Sequence, residues 1–318
     1  MLLTIAIPVY NGEKSIRRCI ESAINQDYTE DYEILIVNNA STDKTLEIVQ
    51  SFNDQRIRII NNPETVSMWK NHNKCFENAK GDYVFIIHAD DRATPEALKI
   101  IAKRLEERLY PQKYIMWGHS MFADATDWVM RNSYVPMLGY NNMFSGETAL
   151  RVFLTFATTQ PTGAVFSRKS TISIGGYLDI DVPAPEESIL TLRAAFNYFE
   201  FEIIDRLLFI REFSSTQSKM TRAEERRSLV LSMEAFWNEI DDKKRNMIKH
   251  ICQMYGISAW DKILKTNIRG RKRHAAIRSV IKKPWSLQRW TNLFTLMAHF
   301  SKYPIDYRLV EGYKYKVE

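Results

Sequence analysis

The sequence predicts an α/β protein built on a mostly parallel sheet with helices on both faces. The order of local patterns supports this fold class. Short β-branched runs alternate with helical patterns over the first 110 residues. A helix that connects two consecutive strands places those strands parallel in the sheet. With 318 residues, 45% hydrophobic and 26% charged, the chain has an ordinary globular composition and is long enough for a core domain and a smaller region.

The first half predicts a Rossmann-like order of elements. The expected strands cover residues 2–9, 33–39, 56–60 and 81–91. The expected helices cover residues 12–26, a segment from 44, residues 67–79 and a segment from 94. Ile16, Ile20 and Ile24 recur at helical spacing in the first of these helices. Pro95 is favourable in the first turn of the last one, because proline lacks the N–H that has no partner there.

The second half is less regular. Strands are expected at 113–119 and within 121–130, and strand-like patterns occupy 199–205 and 206–211. Helices are expected at 146–156 and near 186–197, after a turn at Gly175–Gly176. From about residue 220 onward the pattern is mostly helical.

The cysteines and the apolar runs indicate a reducing, cytoplasmic compartment. Cys19, Cys75 and Cys252 are odd in number and widely spaced, which argues against a disulfide framework or a zinc cluster. The N-terminal apolar run lacks a basic leader and a small-residue cleavage site, so we interpret it as a strand. No run reaches the roughly 18 apolar residues that a membrane span needs.

Charge is divided unevenly along the chain. Residues 241–318 contain 18 basic and 6 acidic residues, whereas residues 1–240 contain 26 basic and 32 acidic residues. Within the basic part, residues 269–300 combine clustered Lys and Arg with Trp, Leu and Phe, as in helices that lie on an anionic membrane surface. The alternative is a basic helix packed on the body of the protein. A nucleic-acid partner is disfavoured because no binding motif accompanies the charge.

Polar clusters follow three of the predicted strands, at 8–11, 38–43 and 88–91. The carboxyl ends of parallel strands meet at one edge of a sheet, so these clusters are expected to converge on a ligand site. The last cluster contains His88, Asp90 and Asp91, and its carboxylates suit Mn²⁺ or Mg²⁺. Two acidic residues at a strand end can also be a solvated turn. The sequence has no G-x-G-x-x-G and no G-x-x-x-x-G-K-[ST] phosphate loop, so a nucleoside diphosphate held through a metal ion is the alternative that survives.

Seven separate blocks of the chain share the order and spacing of a known family. They are IPVYNGE (7–13), VNNASTDKT (37–45), AKGDYVFIIHADD (79–91), QPTGAVFSR (160–168), IGGYLDID (174–181), PEESILTLR (185–193) and LLFIREFSSTQS (207–218). Together they resemble glycosyltransferase family 2, the nucleotide-sugar transferases of the GT-A fold. The resemblance implies a glycosyltransferase domain at 1–218, with a nucleotide-binding half at 1–110 and an acceptor-side half at 111–218. A basic helical region at 219–318 would follow it.

The resemblance also implies an activity and a set of site residues. A sugar would move, with inversion, from a nucleoside diphosphate sugar to a hydroxyl of a glycan or lipid-linked glycan in surface polysaccharide or glycoconjugate synthesis, with Mn²⁺ or Mg²⁺ as cofactor. Glu187 would be the catalytic base, with Glu186 beside it, and Asp90 and His88 would bind the metal. The nucleotide-sugar would contact Pro8, Tyr10, Asn11, Asn38, Asn39, Lys70, His88, Asp90, Asp91 and Arg211.

Several positions depart from the family pattern. His88 replaces the first Asp of the D-x-D motif, Asn38 and Asn39 replace acidic residues, Glu187 replaces Asp, and Phe213 stands where His is common. An Asn offers the base donors as well as an acceptor, so uracil is not assumed. A carboxylate remains at both positions that the chemistry needs, which favours an active enzyme over a binding module of the same fold.

Simpler structural roles compete with the functional ones. The 10–11 segment could be a plain turn, the Asn pair a helix entry, the Glu pair a favourable helix start, and Arg211 an ion-pair partner. His72, His119 and His274 have no ligand-like spacing, so structural roles are predicted for them. A nucleotidyltransferase is a weaker enzymatic alternative, because the basic, glycine-rich phosphate loop is missing.

Overall fold

A computed structural model describes residues 2–122, 128–130, 141–155, 162–179, 187–211, 231–232, 234–254 and 313–314. The strands are β1 (Leu3–Val9), β2 (Tyr32–Asn38), β3 (Ile57–Asn61), β4 (Tyr83–Ile86), β5 (Asp91–Ala93), β6 (Tyr114–Phe122), β7 (Trp128–Met130), β8 (Met143–Phe144), β9 (Ala164–Ser167), β10 (Glu200–Arg211) and β11 (Tyr313–Lys314). The helices are α1 (Ile16–Ile24), α2 (Thr45–Gln50), α3 (Met68–Asn78), α4 (Ala97–Glu107), α5 (Gly146–Thr155), α6 (Arg168–Ser173), α7 (Glu187–Phe196) and α8 (Asp242–Met254).

These strands form one sheet, with eleven strands among the described residues, whose main path is β11-β7-β6-β9-β4-β1-β2-β3. Within the first half the pairing is parallel, as predicted: β1 lies between β2 and β4, and β3 follows β2. Every residue of β1, β2 and β4 is buried, which explains their continuous apolar runs. The α/β fold class predicted from the alternating pattern is therefore confirmed.

The second half of the sheet is mixed. β9 is antiparallel to both β4 and β6. The two strand-like segments predicted at 199–205 and 206–211 form one strand, β10, which is parallel to β6 and antiparallel to β5 and β8. Its register shifts between Ile203 and Leu207, where the sequence pattern had suggested a break. Since β10 pairs with β5, it reaches the carboxyl end of the first half of the sheet.

The strand expected over 81–91 is shorter than predicted. β4 ends at Ile86, and β5 begins only at Asp91. Between them the chain turns, with the Asp91 N–H donating to the His88 carbonyl at 2.9 Å. This turn separates the polar end of the segment from its buried part.

A hydrophobic core covers each face of the sheet. On one face, Ile5 and Ile7 of β1 pack with α1 and α4. On the other face, Ala6 of the same strand packs with α3, α5 and α7, as the alternation of strand side chains requires. Phe236 and Ile248 of the C-terminal section belong to this second core. A domain boundary near residue 218 remains a prediction.

None of the helices that the structure describes is both long enough and apolar enough to cross a membrane.

Candidate active site

The loops after β1 and β2 are joined by hydrogen bonds. The Asn11 N–H donates to Ser41 Oγ at 2.9 Å, and the Thr42 N–H donates to Asn11 Oδ1 at 2.9 Å. The Gly12 N–H donates to Thr45 Oγ1 at 2.8 Å. Asn11 has a φ of 49°, a left-handed conformation that Asn tolerates better than most residues. The structure thus brings together two of the three polar clusters predicted from the sequence.

Asn38 and Asn39 are buried, and their amides hold the neighbouring backbone and side chains. Asn39 pairs with both backbone groups of Val66, accepting from its N–H at 2.9 Å and donating to its carbonyl at 2.8 Å. Asn39 Oδ1 also accepts from Asn62. Asn38 Oδ1 accepts from the N–H and the hydroxyl of Ser41, while its amide nitrogen donates to another side chain. These bonds occupy both acceptor positions of each oxygen and, counting partners among the described residues, leave one amide hydrogen on each side chain.

The third cluster lies between β4 and β5. His88, Asp90 and Asp91 each offer a ligand atom, and these atoms lie within 4.8 Å of one another. Asp91 is 3% exposed, and the other two residues are partly buried. Thr162 holds the cluster from the loop before β9: its hydroxyl accepts from the His88 N–H at 3.2 Å and donates to Asp91 Oδ2 at 2.9 Å. The set of two carboxylates and one imidazole matches the donors that Mn²⁺ or Mg²⁺ accepts, so the residues present fit a divalent ion.

His88 also contacts a second histidine. Nε2 of His88 lies 3.0 Å from Nε2 of His72, a buried residue of α3. Nδ1 of His72 lies 2.8 Å from the carbonyl oxygen of Met68. Burial, together with the neighbouring His88, lowers the pKa of His72 to about 3. Both rings are therefore neutral at physiological pH, since burial also lowers the pKa of His88 to about 4 with a smaller contribution from the positive charge of Arg211.

Arg211 is brought to the same place by strand pairing. It is the last residue of β10, and it pairs with Asp91 in the antiparallel ladder with β5. Its charge acts on His88, as that pKa shift indicates. The fold thus places Arg211 beside the 88–91 cluster. The predicted contact of Arg211 with the nucleotide-sugar remains a prediction.

The other predicted nucleotide contacts have different surroundings. Pro8 is buried within β1, whereas Tyr10 is 53% exposed directly after it. Lys70 is exposed on the first turn of α3. Their contacts with a ligand remain predictions.

The structure describes only one of the two predicted catalytic carboxylates. Glu187 is the first residue of α7, and Glu186 lies outside the described residues. Phe213 and the basic segment at 269–300 also lie outside them. The assignment of Glu187 as catalytic base remains a prediction from the family resemblance.

Sequence reasoning missed two residues that hold this site. The spacing of His72 from other possible ligands predicts a structural role, and Thr162 stands out in the sequence only as part of the QPTGAVFSR block. For Thr162, its place in that block, which resembles the family, was the available signal. For His72, the signal was its position on the apolar face of α3, next to Trp69 and Phe76, where a polar ring needs a partner.

Comparison with known proteins identifies the family and supports the fold. Residues 4–175 match the family described as glycosyl transferase family 2, and the chain belongs to this family of glycosyltransferases. The GT-A fold is supported by the structure of residues 1–349 of Staphylococcus aureus TarS in complex with UDP-GlcNAc. The TM-score is 0.58 at 14% identity, covering 100% of this chain and 95% of that one. A mannosyltransferase from Pyrobaculum calidifontis, in complex with GDP-Man and Mn²⁺, gives a TM-score of 0.56 at 17% identity, covering 94% of this chain and 86% of that one.

Sequence relatives differ in how much of their length is covered. A Mycobacterium tuberculosis protein named MT1568 is 24% identical over 307 residues, which is 89% of this chain and 90% of that protein. The chondroitin synthase of Pasteurella multocida is 36% identical over 104 residues, or 32% of this chain and 11% of the synthase. The poly(ribitol-phosphate) beta-N-acetylglucosaminyltransferase TarS of Staphylococcus aureus is 31% identical over 110 residues, or 34% and 19%. Apart from MT1568, these curated relatives are thus matched over less than a fifth of their length.

Proposed function

We propose that this glycosyltransferase moves a sugar, with inversion, from a nucleoside diphosphate sugar to a hydroxyl of a glycan or lipid-linked glycan. The observation that carries the proposal is the cluster of His88, Asp90 and Asp91 at the carboxyl end of β4, beside the joined loops after β1 and β2. Ligands of open α/β sheets bind at this edge. Arg211, paired with Asp91, adds positive charge to the same place.

Asp90 and His88 are proposed to bind Mn²⁺ or Mg²⁺, with Asp91 held beside them by Thr162. When bound, such an ion would act as a Lewis acid toward the diphosphate. The mannosyltransferase complex with Mn²⁺ supports this cofactor class. Thr162 helps to orient this cluster, because its hydroxyl bonds to two of the three residues. It accepts from the backbone N–H of His88 and donates to the carboxylate of Asp91.

The donor is proposed to bind over the loops at 8–11 and 38–43. Complexes of related folds contain UDP-GlcNAc and GDP-Man, so both nucleotides are candidates. Within the part of the chain that the structure describes, Asn38 and Asn39 each keep one amide hydrogen beyond their internal bonds, so the pair would act toward a base as donors. Acceptor atoms of the base, such as ring carbonyl oxygens, fit this arrangement.

The first experiment is calorimetry of the full chain with UDP, GDP, dTDP and CMP, each with Mn²⁺, Mg²⁺ or EDTA. Binding that requires the metal and prefers one nucleotide is expected. Asp90→Ala should remove the metal-dependent part, whereas Asp31→Ala, an exposed acidic residue at the opposite end of β2, should behave like wild type. Metal-independent binding, or equal binding by Asp90→Ala, would contradict the metal site.

Glu187 is proposed to take the proton from the acceptor hydroxyl. Released nucleoside diphosphate should be measured from the donor that the calorimetry selects. Loss of a general base typically lowers the rate about 10²–10⁴-fold, so Glu187→Gln should keep donor binding and lose most turnover. Glu186→Gln is the matched variant: if it alone lost turnover, the base would be Glu186. Wild-type protein that binds donor but releases no diphosphate would favour a non-catalytic binding module.

The acceptor is proposed to be carried on a polymer or a lipid. The names of the TarS and Bacillus spizizenii relatives specify poly(ribitol-phosphate) acceptors, and those of the Pasteurella multocida enzymes specify polysaccharide synthesis. The basic segment at 269–300 would hold the enzyme on the anionic inner face of the plasma membrane, with the acidic body in the cytoplasm. In cosedimentation, vesicles containing anionic lipid should bind the full chain, and the triple variant Arg271→Glu, Lys272→Glu, Arg273→Glu should bind less. Equal binding would reject the membrane contact.

A further inference from the structure

We propose that His72 is a positioning residue for the metal site: it fixes the tautomer of His88 so that the lone pair of His88 Nδ1 is the one presented to the ion. This inference rests on the proposed function, because it assumes that His88 is a metal ligand. It concerns a residue outside the seven sequence blocks that resemble the family, and it explains how an imidazole can stand where the D-x-D motif has a carboxylate.

The argument starts from the backbone of α3. His72 Nδ1 lies 2.8 Å from the carbonyl oxygen of Met68, one helical turn earlier. A carbonyl oxygen can only accept, so His72 Nδ1 must carry the proton and donate it. In a neutral imidazole the other nitrogen then has no proton, so His72 Nε2 is an acceptor.

The second step fixes His88. Its Nε2 lies 3.0 Å from His72 Nε2. Because His72 Nε2 is an acceptor, the proton between the two rings belongs to His88. The neutral His88 is therefore protonated on Nε2, which leaves the lone pair on Nδ1. The direction of donation runs from His88 to His72 to the Met68 carbonyl.

Packing keeps both rings in this arrangement. His72 is 3% exposed, and its ring centroid lies 5.6 Å from that of Trp69 and 5.6 Å from that of Tyr177. The two imidazoles meet edge to face, with centroids 5.2 Å apart and an angle of 85° between their planes. Burial among these aromatic rings disfavours a charged imidazole, so His72 is neutral, as the proton assignment requires.

The tautomer of His88 decides whether its ring can bind a metal ion through Nδ1. A carboxylate presents lone pairs on both oxygens, whereas an imidazole binds a metal only through a nitrogen without a proton. A hydrogen bond from the non-ligating N–H orients a ligating histidine and raises its basicity, and loss of such a partner typically weakens metal binding about 10–100-fold. His72 supplies this partner from a different secondary-structure element, so His72 and His88 form one unit.

The tautomers can be observed directly. Long-range ¹H–¹⁵N correlation spectra of the full chain labelled with ¹⁵N-histidine, recorded with EDTA at neutral pH, distinguish protonated from unprotonated ring nitrogens. We expect the Nδ1–H form for His72 and the Nε2–H form for His88, assigned with the variants His72→Phe and His88→Gln. A His88 protonated on Nδ1 would overturn the inference, whether or not the protein binds a metal.

Metal binding gives the second readout. Free Mn²⁺ is measured by electron paramagnetic resonance, with Mn²⁺ alone and then with UDP. His72→Phe removes the acceptor and should weaken Mn²⁺ binding about 10-fold or more. His72→Gln restores an acceptor oxygen and should recover most of the affinity. Cys75→Ala, another buried change on α3, should bind Mn²⁺ like wild type.

The two proposals fail in different ways. If wild type binds no Mn²⁺ in either condition, the metal part of the proposed function fails, and this inference with it, even where the tautomers are as expected. If wild type binds Mn²⁺ and His72→Phe binds it equally well, the metal site stands and the role of His72 is refuted. Thermal unfolding of each variant checks the fold, and the wild-type spectrum tests the hydrogen bonds even where His72→Phe does not fold.

Discussion

Thr162 joins two parts of the candidate site through one buried hydroxyl. The Thr162→Val variant keeps the size and β-branching of the side chain but removes the hydroxyl. Two hydrogen bonds are then lost, one from the His88 N–H at 3.2 Å and one to the Asp91 carboxylate at 2.9 Å. Thr162 is 3% exposed, so water cannot easily replace the hydroxyl. A neutral bond contributes about 1 kcal/mol and one to a charged group about 1.5–3 kcal/mol, so the free energy of unfolding should fall by about 2.5–4 kcal/mol.

Urea unfolding followed by circular dichroism measures this loss, and Thr162→Ser is the matched control because it keeps the hydroxyl. A change of this size corresponds to a fall of about 5 °C or more in the melting temperature of a domain of about 200 residues. Thr162→Ser should lose less than half as much. If Thr162→Val and Thr162→Ser unfold within about 0.5 kcal/mol of each other, the hydroxyl does not hold the cluster and the reasoning is wrong.

Three further predictions concern stability. Glu202 is fully buried between two arginines and a tyrosine hydroxyl. Glu202→Gln should therefore lower the free energy of unfolding, measured in urea, by about 3 kcal/mol. A loss no larger than that caused by Glu200→Gln, at a less buried position, would refute this prediction. Leu109 lies two residues after the end of α4, has a φ of 57° and is 86% exposed. Leu109→Gly should raise the melting temperature by relieving about 1 kcal/mol of left-handed strain, and a lower melting temperature would count against it. The pKa values of about 3 for His72 and about 4 for His88 lie below those of the unfolded chain, so the unfolded state binds more protons at acid pH. The free energy of unfolding, measured in EDTA, should therefore fall as the pH drops from about 6.5 toward 4, by up to about 1.4 kcal/mol per pH unit for each histidine. An equally steep fall in His72→Phe would show that His72 is not a source of this pH dependence.

Local sequence pattern predicted the part of the site that depends on strand ends. The clusters at 8–11, 38–43 and 88–91 each follow a buried apolar strand. Parallel pairing of β1, β2 and β4 brings their carboxyl ends to one edge, whatever the details of packing. The pattern could not show that Asn39 would bond to the backbone of Val66, because that contact depends on how the loop after β3 folds back.

The sequence by itself therefore determined the fold class, the family and the edge of the sheet at which the site forms. Hydrophobic periodicity and strand order are local or nearly local properties, and they carry this information. Tertiary structure alone decided that His72 meets His88, that Thr162 ties His88 to Asp91, and that Arg211 pairs with Asp91. These contacts join residues 16 to 120 positions apart, and they exist because α3, the loop before β9 and β10 pack against the same edge of the sheet.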